Sequence, residues 1–171
     1  LLFFAALMVW RDVQLRRDAV QRGMRDTARA LSLAVDREIG SILAVAQTLA
    51  ASPHLHSQDF KGFYDLSAGA AENSKSAAIA LFDHNGQMII NTTEKFGVSL
   101  PNPLRNNRES SGSRGEKLPQ GNQAIKTVLD TGHPIFSDLF MGLVSKLNLL
   151  SVTVPVVRDG KVAYALSVAV T

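Results

Sequence analysis

The sequence predicts an α+β fold, in which a long N-terminal helix packs on a five-stranded antiparallel sheet and a helix and a long loop are inserted between strands 2 and 3. Three observations predict it. Apolar side chains recur at steps of three and four through the first third of the chain, the period of one helix face. Two turn dipeptides, Asn85-Gly86 and Asp159-Gly160, each join two apolar runs of strand length. Between these two hairpins lie a polar stretch and a short amphipathic segment, so helices fall at the N-terminus and in the middle while strands pair with sequence neighbours.

The helix comes first. From Asp12 to about Ala51 there is no proline, and the only glycines are Gly23 and Gly40. Val20, Met24, Ala28, Leu31, Val35, Ile39, Ile42, Ala46 and Leu49 form one continuous stripe. Leu33, Leu43 and Val45 add a second row, broadest in the C-terminal half. A narrow seam suits one partner helix and a broad face suits a sheet. Pro53 supplies the stop. About 40 helical residues extend roughly 60 Å, so such a helix outreaches the body that the remaining residues form, unless it breaks at Gly23 or Gly40 and folds back.

Before the helix stands LLFFAALMVW, Leu1 to Trp10, apolar throughout and ended by Arg11. Ten helical residues rise about 15 Å, half a bilayer core. The tail of a transmembrane helix, a signal-peptide core and a buried helix end compete for this run. RDVQLRRD offers no small-residue cleavage site, and Trp10 suits a membrane boundary, which favours the transmembrane tail of a longer chain. Arg11, Arg16 and Arg17 are of the kind that marks a cytoplasmic flank, diluted by Asp12 and Asp18. Charge alone leaves the orientation open.

The remaining elements follow in order. His54 to Glu72 reads as a loop and a short helix with Phe60, Phe63, Tyr64 and Leu66 on its apolar side. SAAIALF and QMIIN are two strands around the Asn85-Gly86 turn, where Asn-Gly accepts the positive φ angles of a tight hairpin. Residues 101–121 are rich in Pro, Asn, Ser, Gly and charge, the composition of a mobile functional loop. Gln120 to Leu129 is an amphipathic helix ended by Thr131-Gly132. HPIFSDLFM, KLNLLSVTVPVV and KVAYALSVAV make a three-strand meander, and Pro155 places part of its strand at an edge or a bulge. No internal repeat is visible.

Composition excludes several classes. With 46% hydrophobic residues, 12 Gly and 6 Pro, the chain is neither disordered nor collagen-like. It has no cysteine, hence no disulfide, thiolate metal site or cysteine nucleophile. His54, His56, His84 and His133 lie in loops and turns without metal-ligand spacing. There is no nucleophile motif, no Walker or dinucleotide pattern, and GSRG at 112–115 is no phosphate cradle. We therefore expect no metal, no cofactor and no catalytic residue. The formal charge is +3. The long helix carries seven arginines, Arg11, Arg16, Arg17, Arg22, Arg25, Arg29 and Arg37. They are interleaved with Asp12, Asp18, Asp26, Asp36 and Glu38, a net of +2. That is a solvated helix surface rather than a nucleic-acid stripe.

The order of elements, with the phrases LFDHNGQMIINT and FGVSLP and then GHPIFSDLFMG and LLSVTVPVVRDGKVAYALSVAV, resembles Cache (PDC) sensor domains over residues 20–171. These are PAS-like extracytoplasmic domains of bacterial receptors, and the likeness is strongest to those of membrane histidine kinases. The resemblance implies a PAS-like sheet with the long helix on one face and a small-molecule pocket on the other, under the loops. It implies residues 1–10 as the end of a membrane helix, 11–52 as stalk and sheet-packing helix, and 53–171 as a single sensor domain. It places that domain in the periplasm of an inner-membrane receptor of a two-component system; a chemoreceptor or diguanylate cyclase parent is the alternative. Asn91, Arg105, Arg108, Ser137, Asp138, Met141, Asn148 and Tyr164 are the candidate ligand residues by position. An Arg105–Arg108 pair suits a carboxylate, although both also read as ordinary solvated loop residues. The aromatic-and-arginine signature of amino-acid-binding relatives is absent. Two such helices are expected to pair in a homodimer along Met24, Ala28 and Leu31. The rival reading is a dimerisation or protein-interaction module without a ligand.

Overall fold

The structure, a computed structural model, describes residues 28–74, 76–105 and 120–171. Leu1–Trp10, Met24, Arg108 and most of the 101–121 loop lie outside the described residues. Two compact units divide at Gly40. In the first, helix α1 is described from residue 28, and Leu31, Leu33 and Val35 are exposed. In the second, the same helix continues to residue 50. There Ala46 and Leu49 are buried in the main core, with Ile42, Leu43 and Val45 packed beside them. In this unit the apolar stripe packs on the sheet core from Ile42 to Leu49.

Pro53 does more than stop α1. It is the first residue of α2 (Pro53–His56), where a missing N–H costs nothing. Next, α3 (Phe60–Ser74) buries Phe63 against the sheet, whereas Leu66, expected on the same side, stays exposed. Asp59 precedes α3 and sets its start. Its Oδ1 accepts the Gly62 N–H at 3.0 Å, and its Oδ2 meets His54 Nδ1 at 2.8 Å. The Gly62 hydrogen bond first, and His54 second, hold the carboxyl below its ordinary value of 3.8. A group whose pKa is depressed by folding contributes stability above its ordinary pKa and loses it as pH falls through the lowered value. Asp59→Asn keeps a capping oxygen without the charge. Its melting temperature is expected to depend less on pH than that of the unaltered chain in melts run below pH 3.8. Coincident profiles would remove Asp59 from the acid response.

The strands are β1 (Ala78–Asp83), β2 (Met88–Asn91), β3 (Ile135–Phe136), β4 (Phe140–Met141), β5 (Asn148–Arg158) and β6 (Lys161–Val170). Their order is β2-β1-β6-β5-β3, all antiparallel, with β4 also on β5. The sheet keeps five lanes. Its last lane is filled by two two-residue pieces, because Ser137 leaves the ladder to bond Ser151: each backbone is tied to the other residue, and the hydroxyls lie 3.1 Å apart. Pro155 lies beyond Thr153, the last residue of β5 paired with β3, and just before a register shift at Val156/Val157. A residue without an N–H is tolerated there.

The two hairpins close differently. Asp159 and Gly160 both have positive φ, 52° and 74°, the mirror-image turn that matches strand twist. At the first hairpin only Gly86 has positive φ, at 77°. The Asp83 carboxylate accepts the N–H groups of Asn85 and Gln87, and the ladder slips between Leu81 and Phe82. An aspartate able to bridge its own turn makes the wider, bulged closure the stable one. Helix α4 (Gln120–Thr131) ends at Gly132, whose φ of 68° and bond to the Val128 carbonyl form a glycine C-cap.

Strand alternation sorts the core into two faces. Ile79, Leu81, Val152, Val154, Val156, Leu166 and Val168 face α1, α2 and α3. Ala80, Phe82, Met88 and Ala165 face α4 through Ile125 and Val128.

Candidate functional site

The α4 face holds a cavity of about 320 Å³. It exists because of side-chain size. Ala78 pairs with Ala169 and Ala80 with Ser167 across β1 and β6, and all four line the cavity. Their neighbours along the strands, Ile79, Leu81, Leu166 and Val168, are large and fill the helix-covered face. One face of two adjacent strands is therefore close-packed and the other is a floor of small residues. Phe82 lies at one end of that floor, opposite Ala165.

The walls come from the inserted segments. Asn102 Oδ1 accepts the Leu104 and Arg105 N–H groups, starting a helical turn that puts Pro103 on the cavity. The Pro103 carbonyl takes the Nδ2–H of buried Asn122 at 2.9 Å, which ties this turn to α4. Gly121 lets α4 approach closely: a Cβ there would lie 2.6 Å from the Phe140 ring. Phe140, Met141 and the turn from Gly142 to Lys146 close the far side. The polar members are few. Asn91 Oδ1 accepts from the N–H and hydroxyl of Thr93 at 3.0 and 2.8 Å, and its Nδ2 lies 3.6 Å from the Met88 sulfur. The Ser167 hydroxyl accepts from Thr153 at 3.3 Å. A mostly hydrocarbon cavity with a few aimed polar atoms is the form of a small-molecule site. Among the described residues there is no cluster of metal-ligating side chains.

Of the residues singled out from sequence, the structure brings Asn91 and Met141 together on the cavity. Arg105 is exposed and outside the lining, and Ser137 holds the sheet edge. Asp138 is exposed; Asn148 alternates with Leu149, so the leucine faces the cavity. Tyr164 shares the parity of Leu166 and Val168 and lies on the helix-covered face. There it meets Phe60 edge-on at 5.8 Å, and its hydroxyl accepts from Gln58 at 3.3 Å. The floor residues and the 142–146 turn were not anticipated. A signal for the floor does stand in the sequence, as small residues alternating with large ones in AAIAL and AYALSVAV.

No protein-family model matches the sequence, and no curated protein matches it. Solved structures do share the fold. The sensory domain of the Campylobacter jejuni chemoreceptor Tlp3 with isoleucine bound aligns with 81% of this chain at 12% identity and a TM-score of 0.54. The chain spans about half of that structure, 54%. The E. coli DcuS sensor domain aligns over 79% of this chain and 89% of its own length, at 15% identity and a TM-score of 0.53. The ligand-binding domain of Mlp24 with asparagine aligns over 88% of this chain and 57% of its own length, at 14% identity and a TM-score of 0.56. The chain shares the fold of these sensory and ligand-binding domains.

Proposed function

We propose that this chain is the signal-input domain of a bacterial transmembrane receptor, placed outside the cytoplasm, and that it binds a small molecule in the cavity between the sheet and α4. The observation that carries the reading is the floor of small residues, walled by Pro103, Asn122 and Phe140, on a fold shared with sensory domains. In this reading residues 1–10 end a membrane helix, residues 11–52 form the stalk, and residues 53–171 form the sensor. Asn91 and Met141 contact the ligand. Occupancy changes how α4 and the 142–146 turn pack on β1 and β6, and α1 carries the change to the membrane. A histidine kinase output fits the sequence phrases; a chemoreceptor output fits the Tlp3 likeness. A thermal-shift screen with small carboxylates tests ligand input, and stabilisation is the expected result. A flat response across the screen would remove the ligand from the proposal.

A second reading, helix pairing, is favoured by one observation. Leu31, Leu33, Val35 and Ile39 of α1 are exposed at 65%, 70%, 49% and 37%. Pairing of two copies along the stripe would cover Leu31, Val35 and Ile39. Leu31→Cys in the membrane-borne chain is expected to crosslink to a second copy, and the same substitution at Met24 extends the seam. Absence of crosslinks at both positions would count against pairing.

A further inference from the structure

We infer that Gln58 is a latch: strained in its backbone and tied to Tyr164, it holds the corner at the end of α1 to strand β6, and its release is the step that lets α1 move on the sheet. The corner is stiff because a relay of backbone bonds runs through it. Ser52 N–H donates to the Leu49 carbonyl of α1 at 3.0 Å, Leu55 N–H to the Ser52 carbonyl at 3.1 Å, and Asp59 N–H to the His54 carbonyl at 2.8 Å. The last of these ends α2 in a Schellman turn, with Gln58 at its left-handed position. The φ of Gln58 is 59°. Glycine sits there without cost and asparagine at little, whereas a glutamine is strained. What the glutamine adds is reach: its Nε2 donates to the Tyr164 hydroxyl at 3.3 Å.

Tyr164 is placed to feel both faces of the sheet. It is buried, paired with Asp83 of β1 and Val156 of β5, just before the register shift at Val156/Val157. Ala165, the next residue of β6, turns to the opposite core together with its partner Phe82. A displacement of β6 from either face therefore reaches the Tyr164 hydroxyl. Leu55 and Phe63 also grip the sheet, but apolar contact is non-directional and permits sliding. The His54–Asp59 contact spans the same hinge, yet its side chains are 43% and 50% exposed, so it holds weakly. Strain at Gln58 favours release and the Gln58–Tyr164 bond opposes it, and two such effects are similar in size. A hydrogen bond of 3.3 Å is long, which keeps the balance close. In the released state Gln58 takes a right-handed backbone, α2 runs on toward α3, and the corner turns beneath the end of α1. An element with two near-balanced arrangements is what a conformational switch requires.

Relaxation-dispersion NMR on the full chain measures the released population at the amides of Asp59 and Phe60 and along Gln47–Ala51. Tyr164→Phe keeps the ring against Phe60 and removes only the hydroxyl. Gln58→Met keeps the length and the strain and removes only the amide. Each is expected to raise the released population about tenfold, the effect of one lost hydrogen bond. Gln58→Gly removes the strain, so the corner stays latched without its tether and the released population is no higher than in the unaltered chain. Tyr164→Phe added to Gln58→Gly then changes nothing further, whereas a hydroxyl acting elsewhere would have equal effects in both backgrounds. Unaltered exchange in both Tyr164→Phe and Gln58→Met overturns the latch. So does an equal rise from Tyr164→Phe in the glycine background, or exchange at Asp59 and Phe60 with none along Gln47–Ala51. The measurement uses no ligand: its failure leaves the cavity proposal standing, and a flat ligand screen leaves the latch standing.

Discussion

Ala80→Leu is expected to abolish ligand binding while leaving the fold in place. Ala80 sits mid-floor, paired with Ser167 and flanked on the same face by Ala78 and Phe82. An isobutyl group there rises into the cavity, beside Ile125 and Val128 of α4. Displacing even ~100 Å² of apolar contact between ligand and floor removes about 2.5 kcal/mol, close to a hundredfold in affinity. Overpacking of a filled core costs about 1–3 kcal/mol, but a side chain entering open volume escapes most of that, so the change in stability should stay near ~1 kcal/mol. Titration calorimetry and urea melts on the same preparation check both halves. Retained affinity would move the ligand elsewhere; a large loss of stability would mean that the floor is already covered. The neighbouring face gives a control. Ile79→Ala, one residue away, removes a fully buried side chain and should destabilise by about 2–5 kcal/mol without touching the cavity.

Phe63→Ala is expected to cost the fold about 3–5 kcal/mol, a large part of the 5–15 kcal/mol that holds an ordinary domain together. Phe63 is fully buried in the core that joins α3 to the sheet, beside Leu55, Ile79 and Ile90. Its removal leaves a cavity that rigid strands on one side and two helices on the other cannot close. Leu66→Ala is the comparison. Leu66 is 44% exposed, so its truncation should cost under about 1 kcal/mol. Both residues look alike in the sequence, as apolar positions on one short helix. Urea unfolding measures the contrast, and a Phe63→Ala loss below about 1 kcal/mol would show that α3 does not pack on the sheet as described. Because the cavity lies on the opposite face, ligand affinity should change little in Phe63→Ala under conditions where it remains folded.

Much of the fold is legible because its signals are local. Gly86, Asp159-Gly160 and Gly132 mark chain reversals through φ angles that few residues adopt, so hairpins and the end of α4 can be placed from a handful of residues. The stripe through Ile42, Ala46 and Leu49 declares a helix face that must be covered. Pairing of consecutive strands then yields the β5–β6 meander. The site is less legible because its members are remote in the chain. Ala78 meets Ala169, and Asn122 meets Pro103, only after β1 has inserted beside β6 and α4 has docked. Ser137, Asp138, Asn148 and Tyr164 look like ligand residues by type and lie outside the lining of this cavity, whose membership is set by strand parity and side-chain size.

By itself the sequence determined the main helices, the two hairpins, the antiparallel class of the sheet and the absence of cysteine chemistry, because periodicity and turn residues act over a few positions. Tertiary structure alone decided which face is filled and which is hollow. The physical reason is that a cavity is a shortage of volume summed over distant neighbours. Alanine on β1 leaves space only when alanine or serine on β6 stands opposite it, and only where the side chains of α4, Pro103 and Phe140 wall the gap without filling it.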